Sequence, residues 1–254
     1  MEKPIKQIAI FQKYLSAADS QQNLCPDPAI TPQLSDELNI AFHWYLVQAQ
    51  AGNPTAQYYV GTAYYYTLGA ATDIAKAQEW FQKVAAQNNV RAMYQLGMIS
   101  YAGGTKIPQS DYIDEAHKAA LHWFTKAATN GDAQSQLMLS LIYLTGWSNV
   151  EKNEKAAYQW TMKAVDQKNA AGFVALGDFY FYGVYVGQNY EEALSFYQKS
   201  LPMPKISFVI KKYVLDKLVY MYANGLGTSK DLKKSDYYDK QLKALLAEKY
   251  CVRS

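Results

Sequence analysis

The sequence predicts an all-α protein: an α-solenoid, a right-handed superhelix of about five helix-turn-helix repeats behind an N-terminal cap. Three observations predict it. First, the spacing Ala/Ser-x-x-aromatic occurs six times, at Ala41–Trp44, Ala77–Trp80, Ala120–Trp123, Ala157–Trp160, Ala193–Phe196 and Ser235–Tyr238. Its aromatic returns after 36, 43, 37, 36 and 42 residues, the period of stacked helical hairpins. Second, a pattern small-x-x-x-Leu-Gly-x-x-Tyr lies between successive copies, as in Gly172/Leu176/Gly177/Tyr180. Third, glycine and Asn/Asp punctuate the chain at regular places.

In chain order, residues 1–35 are predicted to form a helical cap and loop. Ile5, Ile8, Ala9 and Leu15 mark a short amphipathic helix, and Thr31-Pro32 marks the start of the next. Residues 36–254 are predicted to form one continuous array. Each repeat has a helix A, carrying the Leu-Gly pattern, and a helix B, carrying the Ala-x-x-aromatic pattern. Apolar or small residues at steps of four give each helix one buried stripe. Helix A is expected to end at Gly69, Gly103, Gly146, Gly183 and Gly225, because glycine accepts the left-handed conformation that closes a helix. Asp73, Asn153 and Asn189 are expected to cap B helices, and Asn53, before Pro54, an A helix.

Gly61, Gly97, Ser140 and Gly177 occupy the slot where helix A approaches its partner closely, and the B-helix aromatic is expected to fill the space between hairpins. Lys83, Lys126, Lys163 and Lys199 recur three residues after that aromatic and read as a solvated outer face. The segment Gly103–Asp114 is longer than its equivalents, and Trp147 is a lone aromatic in the loop after Gly146.

The composition is that of a folded chain: 254 residues, 50% hydrophobic, 19% charged, net charge +3. Lys and Arg are spread without the basic stripe of a nucleic-acid binder. No run approaches the roughly 20 apolar residues that span a bilayer. The N-terminus lacks the apolar core of a signal peptide, so a cytoplasmic location is expected, or a periplasmic one if a leader has been removed. Cys25 and Cys251 lie in terminal segments, and two cysteines make no disulfide framework.

The combined pattern A-x-x-x-L-G-x-x-Y-x-x-G…K-A-x-x-W-[FY]-x-K-A-A resembles the Sel-one-like repeat family, a relative of the tetratricopeptide repeats. Ala92 through Leu96-Gly97 and on to Trp123-Phe124-Thr125-Lys126-Ala127-Ala128 is the best copy, and the match extends over residues 36–249. Copy five departs most, with Val219 for the glycine and Ser235–Tyr238 for Ala–Trp. The resemblance implies that helix A lines a concave groove. It also implies which positions point there: −6, −3, +1, +4 and +5 from the packed glycine.

These offsets give Tyr58, Tyr65 and Tyr66, then Arg91, Tyr94, Met98 and Tyr101, then Asp178, Phe181 and Tyr182, then Tyr213, Asp216 and Tyr220 as the candidate protein-binding residues. The third copy contributes Leu137, Leu141 and Leu144 at the same offsets, and the fourth adds Val174. Tyrosine combines a large ring, a polar tip and few rotatable bonds, which is why it is enriched at interfaces.

Catalytic chemistry is not legible. His43, His117 and His122 make no ligand set, and no nucleophile elbow, phosphate loop or Cys-x-x-Cys occurs. No enzyme activity, cofactor or metal is expected. The functional expectation is a non-catalytic module that binds a peptide or protein in an aromatic groove. The alternative is a bacterial immunity protein neutralising a secreted toxin, a role that proteins resembling this family play in some type VI secretion systems. The apolar stretch Ile206–Ile210 reads either as core or as a self-association surface.

Overall fold

The computed structural model describes residues 4–19, 32–106, 110–147, 150–204 and 206–250. Cys25 and Cys251 lie outside them. Among the described residues there are 12 α-helices and no strand. They fall into two compact units, 1–132 and 133–254, which divide the span 36–254 between two repeats.

The first unit holds α1 (Ile5–Asp19), α2 (Pro32–Gln50), α3 (Pro54–Tyr66), α4 (Ile74–Ala85), α5 (Val90–Lys106) and α6 (Ser110–Thr129). Phe11 and Leu15 of α1 are buried with Leu38, Phe42 and Tyr45 of α2. The N-terminal helix is thus part of this unit's core. Burying a ring such as Phe11 contributes about 1.5–3 kcal/mol. The second unit holds α7 (Ala133–Thr145), α8 (Glu154–Asp166), α9 (Ala170–Tyr182), α10 (Tyr190–Ser200), α11 (Phe208–Asn224) and α12 (Leu232–Tyr250). Its core gathers Val174, Ala193, Leu194, Tyr197, Val214, Leu218 and Met221.

The helix starts follow the sequence. Asn53, Asp73, Asn153 and Asn189 each accept a backbone N–H of the first turn, and Asn169 and Ser207 do the same for α9 and α11. Gly183 and Gly225 close α9 and α11 in the left-handed conformation, with φ of 70° at both. Two expected stops are corrected. Thr67, with φ 60°, closes α3 ahead of Gly69. Gly103 lies inside α5, which continues to Lys106, so the longer segment is partly spent on extending that helix.

The glycines lie at the close approach expected of them, and each meets a helix-B ring other than the conspicuous aromatic. A β-carbon on Gly61 would sit 2.8 Å from the Phe81 ring, one on Gly97 2.5 Å from Phe124, and one on Gly177 2.7 Å from Tyr197. Each ring follows the conspicuous aromatic by one residue and is fully buried. The conspicuous aromatics themselves are half-buried. Trp80 packs on the α1–α3 core, and Trp123 on the α4–α5 core. The recurring lysines lie over these rings: Lys83 Nζ is 4.2 Å from the Trp80 centroid, Lys126 5.5 Å from Trp123, Lys163 3.9 Å from Trp160 and Lys199 4.9 Å from Phe196. A solvated ammonium over an indole face is worth roughly 0.5–1 kcal/mol.

Two hairpins, α7/α8 and α11/α12, depart from the glycine–ring rule. In α7/α8 the two slots hold Ser140 and Thr161, both buried, with their hydroxyl oxygens 2.8 Å apart. In α11/α12 they hold Val219 and Asp239, and Asp239 pairs with Lys243 at 2.7 Å.

Candidate functional site

The A helices of the second unit, α7, α9 and α11, share a cleft of about 450 Å³. Leu137, Leu141 and Leu144 line it from α7, Val174, Asp178 and Tyr182 from α9, and Val209, Ile210 and Tyr213 from α11. Its size falls within the range of pockets that take a small ligand or a few side chains. The stretch 206–210 supplies two of these residues. Val209 is exposed there, and Ile210 leans on the core.

Asp178 lines the cleft and organises its polar edge. Its Oδ1 accepts the hydroxyl of Tyr197 at 2.6 Å and that of Tyr213 at 2.8 Å. Burial pushes the Asp178 carboxyl above the ordinary carboxylate value, while the two hydroxyls and the Lys217 ammonium pull the other way. Tyr197 and Tyr213 are both held well above the usual phenol range, first by burial and then by the carboxylate beside them. Lys217 donates to Tyr182 Oη at 2.8 Å and lies 4.0 Å from the centroid of Phe181. Four aromatic rings, a carboxylate and an ammonium therefore form one connected network beside an apolar cleft. This is a positioning arrangement, since buried networks of satisfied bonds fix side-chain rotamers.

The structure brings Asp178, Phe181, Tyr182 and Tyr213 of the sequence-predicted set together here. Tyr220 is exposed further along α11, and Asp216 is spent in an ion pair with Lys212 at 2.7 Å. In the first unit Tyr58 is 5% exposed and packs on Phe81, so it belongs to the core; its offset lies on the flank that faces α4. Tyr65 and Tyr66 stack edge to face at 4.7 Å. Tyr65 lines a second cleft with Ile74, Gln78, Ile99, Ser100 and Ala119. Tyr94 is half-buried beside Phe124, Met98 and Tyr101 are half-buried, and Arg91 is exposed at the start of α5. Trp147 and Val150 exchange a pair of backbone hydrogen bonds.

Leu137, Leu141, Leu144 and Val174 were legible from their offsets but not as partner contacts, because the offsets favoured aromatic and charged types. Lys217 carried no signal except its place four residues after Tyr213. No group of three His, Cys, Asp or Glu side chains that could hold a metal occurs among the described residues. No described helix is long and apolar enough to cross a membrane.

Tandem antiparallel hairpins with a glycine–ring contact define a helical-repeat protein of the α-solenoid class. The pattern of the Sel1 repeat matches residues 54–89, 90–132, 133–169, 174–201 and 220–237. The chain belongs to the Sel1 repeat family, whose members in general are non-catalytic scaffolds for protein interaction. It is 27% identical over 191 residues to an uncharacterised protein of Neisseria meningitidis serogroup B, a match covering 66% of this chain and 40% of that one. The chain thus spans less than half the length of such curated relatives. Among solved structures it is similar to a Sel1 repeat protein from Oxalobacter formigenes, with TM-score 0.65 and 24% identity over 82% of this chain and 78% of that one. It is also similar to an immunity protein from Pseudomonas aeruginosa, with TM-score 0.57 and 20% identity over 96% and 83%. At these identities the two structures speak to the fold.

Proposed function

We propose that this protein is a non-catalytic interaction module that takes a peptide or protein segment on the A-helix face of its repeats. The observation that carries the reading is the apolar cleft over α7, α9 and α11 and the side chains left open around it. Leu141 is 48% exposed, Tyr182 58%, Val209 59% and Tyr220 53%. Large apolar groups left open beside a fixed hydrogen-bond network mark a surface ready to bury them against a partner. The test is a photo-crosslinking amino acid at position 182 or 220, compared with position 155 on the exposed start of α8. Crosslinks to one partner from the A-helix positions alone are expected. Equal yields from position 155 would overturn the reading.

A second reading is that of an immunity protein that blocks a toxin. Its support is the nearly end-to-end overlap with the Pseudomonas aeruginosa immunity protein. Protection of cells against a toxin encoded beside this chain is the expected result on co-expression. Failure to protect against every such toxin would remove it.

A further inference from the structure

Thr161 is the residue from which a new inference follows. In three other hairpins the equivalent slot holds a ring packed on a glycine of the A helix: Phe81 on Gly61, Phe124 on Gly97, Tyr197 on Gly177. The Tyr197 ring shows how far such a side chain reaches. It runs past Gly177 and delivers its hydroxyl to Asp178, the next residue, on the wall of the cleft. In α7/α8 the slot side chain is a threonine and the glycine is Ser140. The hydroxyl pair closes the hairpin with no ring in the slot. Ser140 and Leu141, the residues that such a ring would pass and reach, both line the cleft. The cleft therefore reaches the side of the slot where three other hairpins hold a ring, and Leu137, Leu141 and Leu144 wall it there.

The charge of the cleft narrows the occupant. Asp178 is the one carboxylate among the lining residues, none of which is a cation, and the rest of the lining is apolar apart from hydroxyls. Both tyrosine hydroxyls go to its Oδ1, so Oδ2 is the oxygen that a ligand's donor would take. Lys217, whose charge acts on Asp178, is engaged with Tyr182 and Phe181 rather than lining the cleft.

We propose that this cleft takes a peptide segment of a partner that sets an aromatic side chain against Ser140 and Leu141, beside the slot where Thr161 stands in place of a ring, and places a lysine or arginine on Asp178. The cation compensates a carboxylate that burial disfavours. The proposal rests on the interaction-module reading and specifies the chemistry of its partner.

The test is selection of a phage-displayed random dodecapeptide library on the full chain. Enriched peptides are then synthesised and titrated by fluorescence anisotropy. The expected sequences pair Phe, Tyr or Trp with Lys or Arg within a few residues. Their affinity is expected to fall at least tenfold for the double variant Ser140→Gly/Thr161→Phe, which puts a ring in the slot, with unchanged far-ultraviolet circular dichroism. If that variant does not fold, Leu141→Lys puts a cation on an exposed position of the wall and is expected to cause a similar loss. Asp178→Asn, which keeps an acceptor for the tyrosines, is expected to weaken cationic peptides several-fold and neutral aromatic ones little. Peptides that bind the double variant or the Leu141→Lys variant as well as the native chain would overturn the cleft proposal and leave the interaction-module reading standing. Enriched peptides without a cation, or indifferent to Asp178→Asn, would overturn the role of the carboxylate. If no peptide is enriched, the cleft proposal falls, and the interaction-module reading stands or falls by the crosslinking comparison.

Discussion

The Phe124 ring packs so tightly on Gly97 that an added β-carbon would lie 2.5 Å from its Cε1. Phe124 is fully buried. On helix propensity alone alanine would gain about 1 kcal/mol over glycine here. Overpacking costs roughly 1–3 kcal/mol and decides the sign. Gly97→Ala is therefore expected to lower the unfolding midpoint in urea. Adding Phe124→Leu is expected to make Gly97→Ala less costly than it is alone, as a double-mutant cycle would show.

Removing the acceptor at the centre of the aromatic network has a larger effect. Asp178→Ala leaves the Tyr197 hydroxyl without its partner in a buried setting, which costs about 1–3 kcal/mol for the unmet group alone. Asp178→Asn retains an acceptor and is expected to lose less than half as much. Equilibrium unfolding of the two variants side by side checks the ordering.

The same carboxyl sets a pH dependence. Its folded value lies above the ordinary 3.8, because burial penalises the charge. The folded state therefore binds the proton more readily than the unfolded chain. This group's contribution is most favourable at low pH and falls as pH rises from about the unfolded value through the folded one. Relative to native protein, Asp178→Asn is expected to gain stability across that window as pH rises. Denaturation midpoints of both proteins between acid and neutral pH check it, and a difference that stays constant would contradict it.

Lys163 over Trp160 is the closest of the recurring ammonium–ring contacts, at 3.9 Å. Lys163→Ala is expected to cost about 0.5–1 kcal/mol and Lys163→Arg almost nothing. Lys155→Ala, at an exposed position on the same helix, serves as the comparison for charge alone.

At the start of α10, Asn189 accepts the N–H groups of both Glu191 and Glu192. Asn189→Ala is expected to destabilise the chain by about 1 kcal/mol, and Asn189→Asp to be neutral or slightly stabilising beside the positive end of the helix dipole. Thermal unfolding followed by circular dichroism is sufficient to see it.

Much of this fold was legible because hairpin stacking imposes residue types that stand out. Glycine is needed where a ring lies on the backbone, and an Asx side chain where a helix opens. The tryptophan slot was more conspicuous than it was central. Ala77 and Trp80 are three apart and Ala77 and Phe81 four apart, so both aromatics share a helix face, and only depth separates them. Periodicity has no term for depth. Tyr58 illustrates the same limit, since its offset gives a direction but not the neighbour that covers it. The partnership of Asp178 with Tyr197 and Tyr213 joins residues 19 and 35 apart, and no local pattern encodes it. The Thr161 exception is visible in the sequence once the buried ring, and not the tryptophan, is used to align the repeats.

The half-buried indoles, each with an ammonium at its face in three of the hairpins, give the chain built-in optical probes. Trp44, Trp80 and Trp123 belong to 1–132, and Trp147 and Trp160 to 133–254. Conservative replacement of either group would silence the emission of one half. The remaining signal would then show whether the two halves of the molecule melt as one cooperative body or in separate steps.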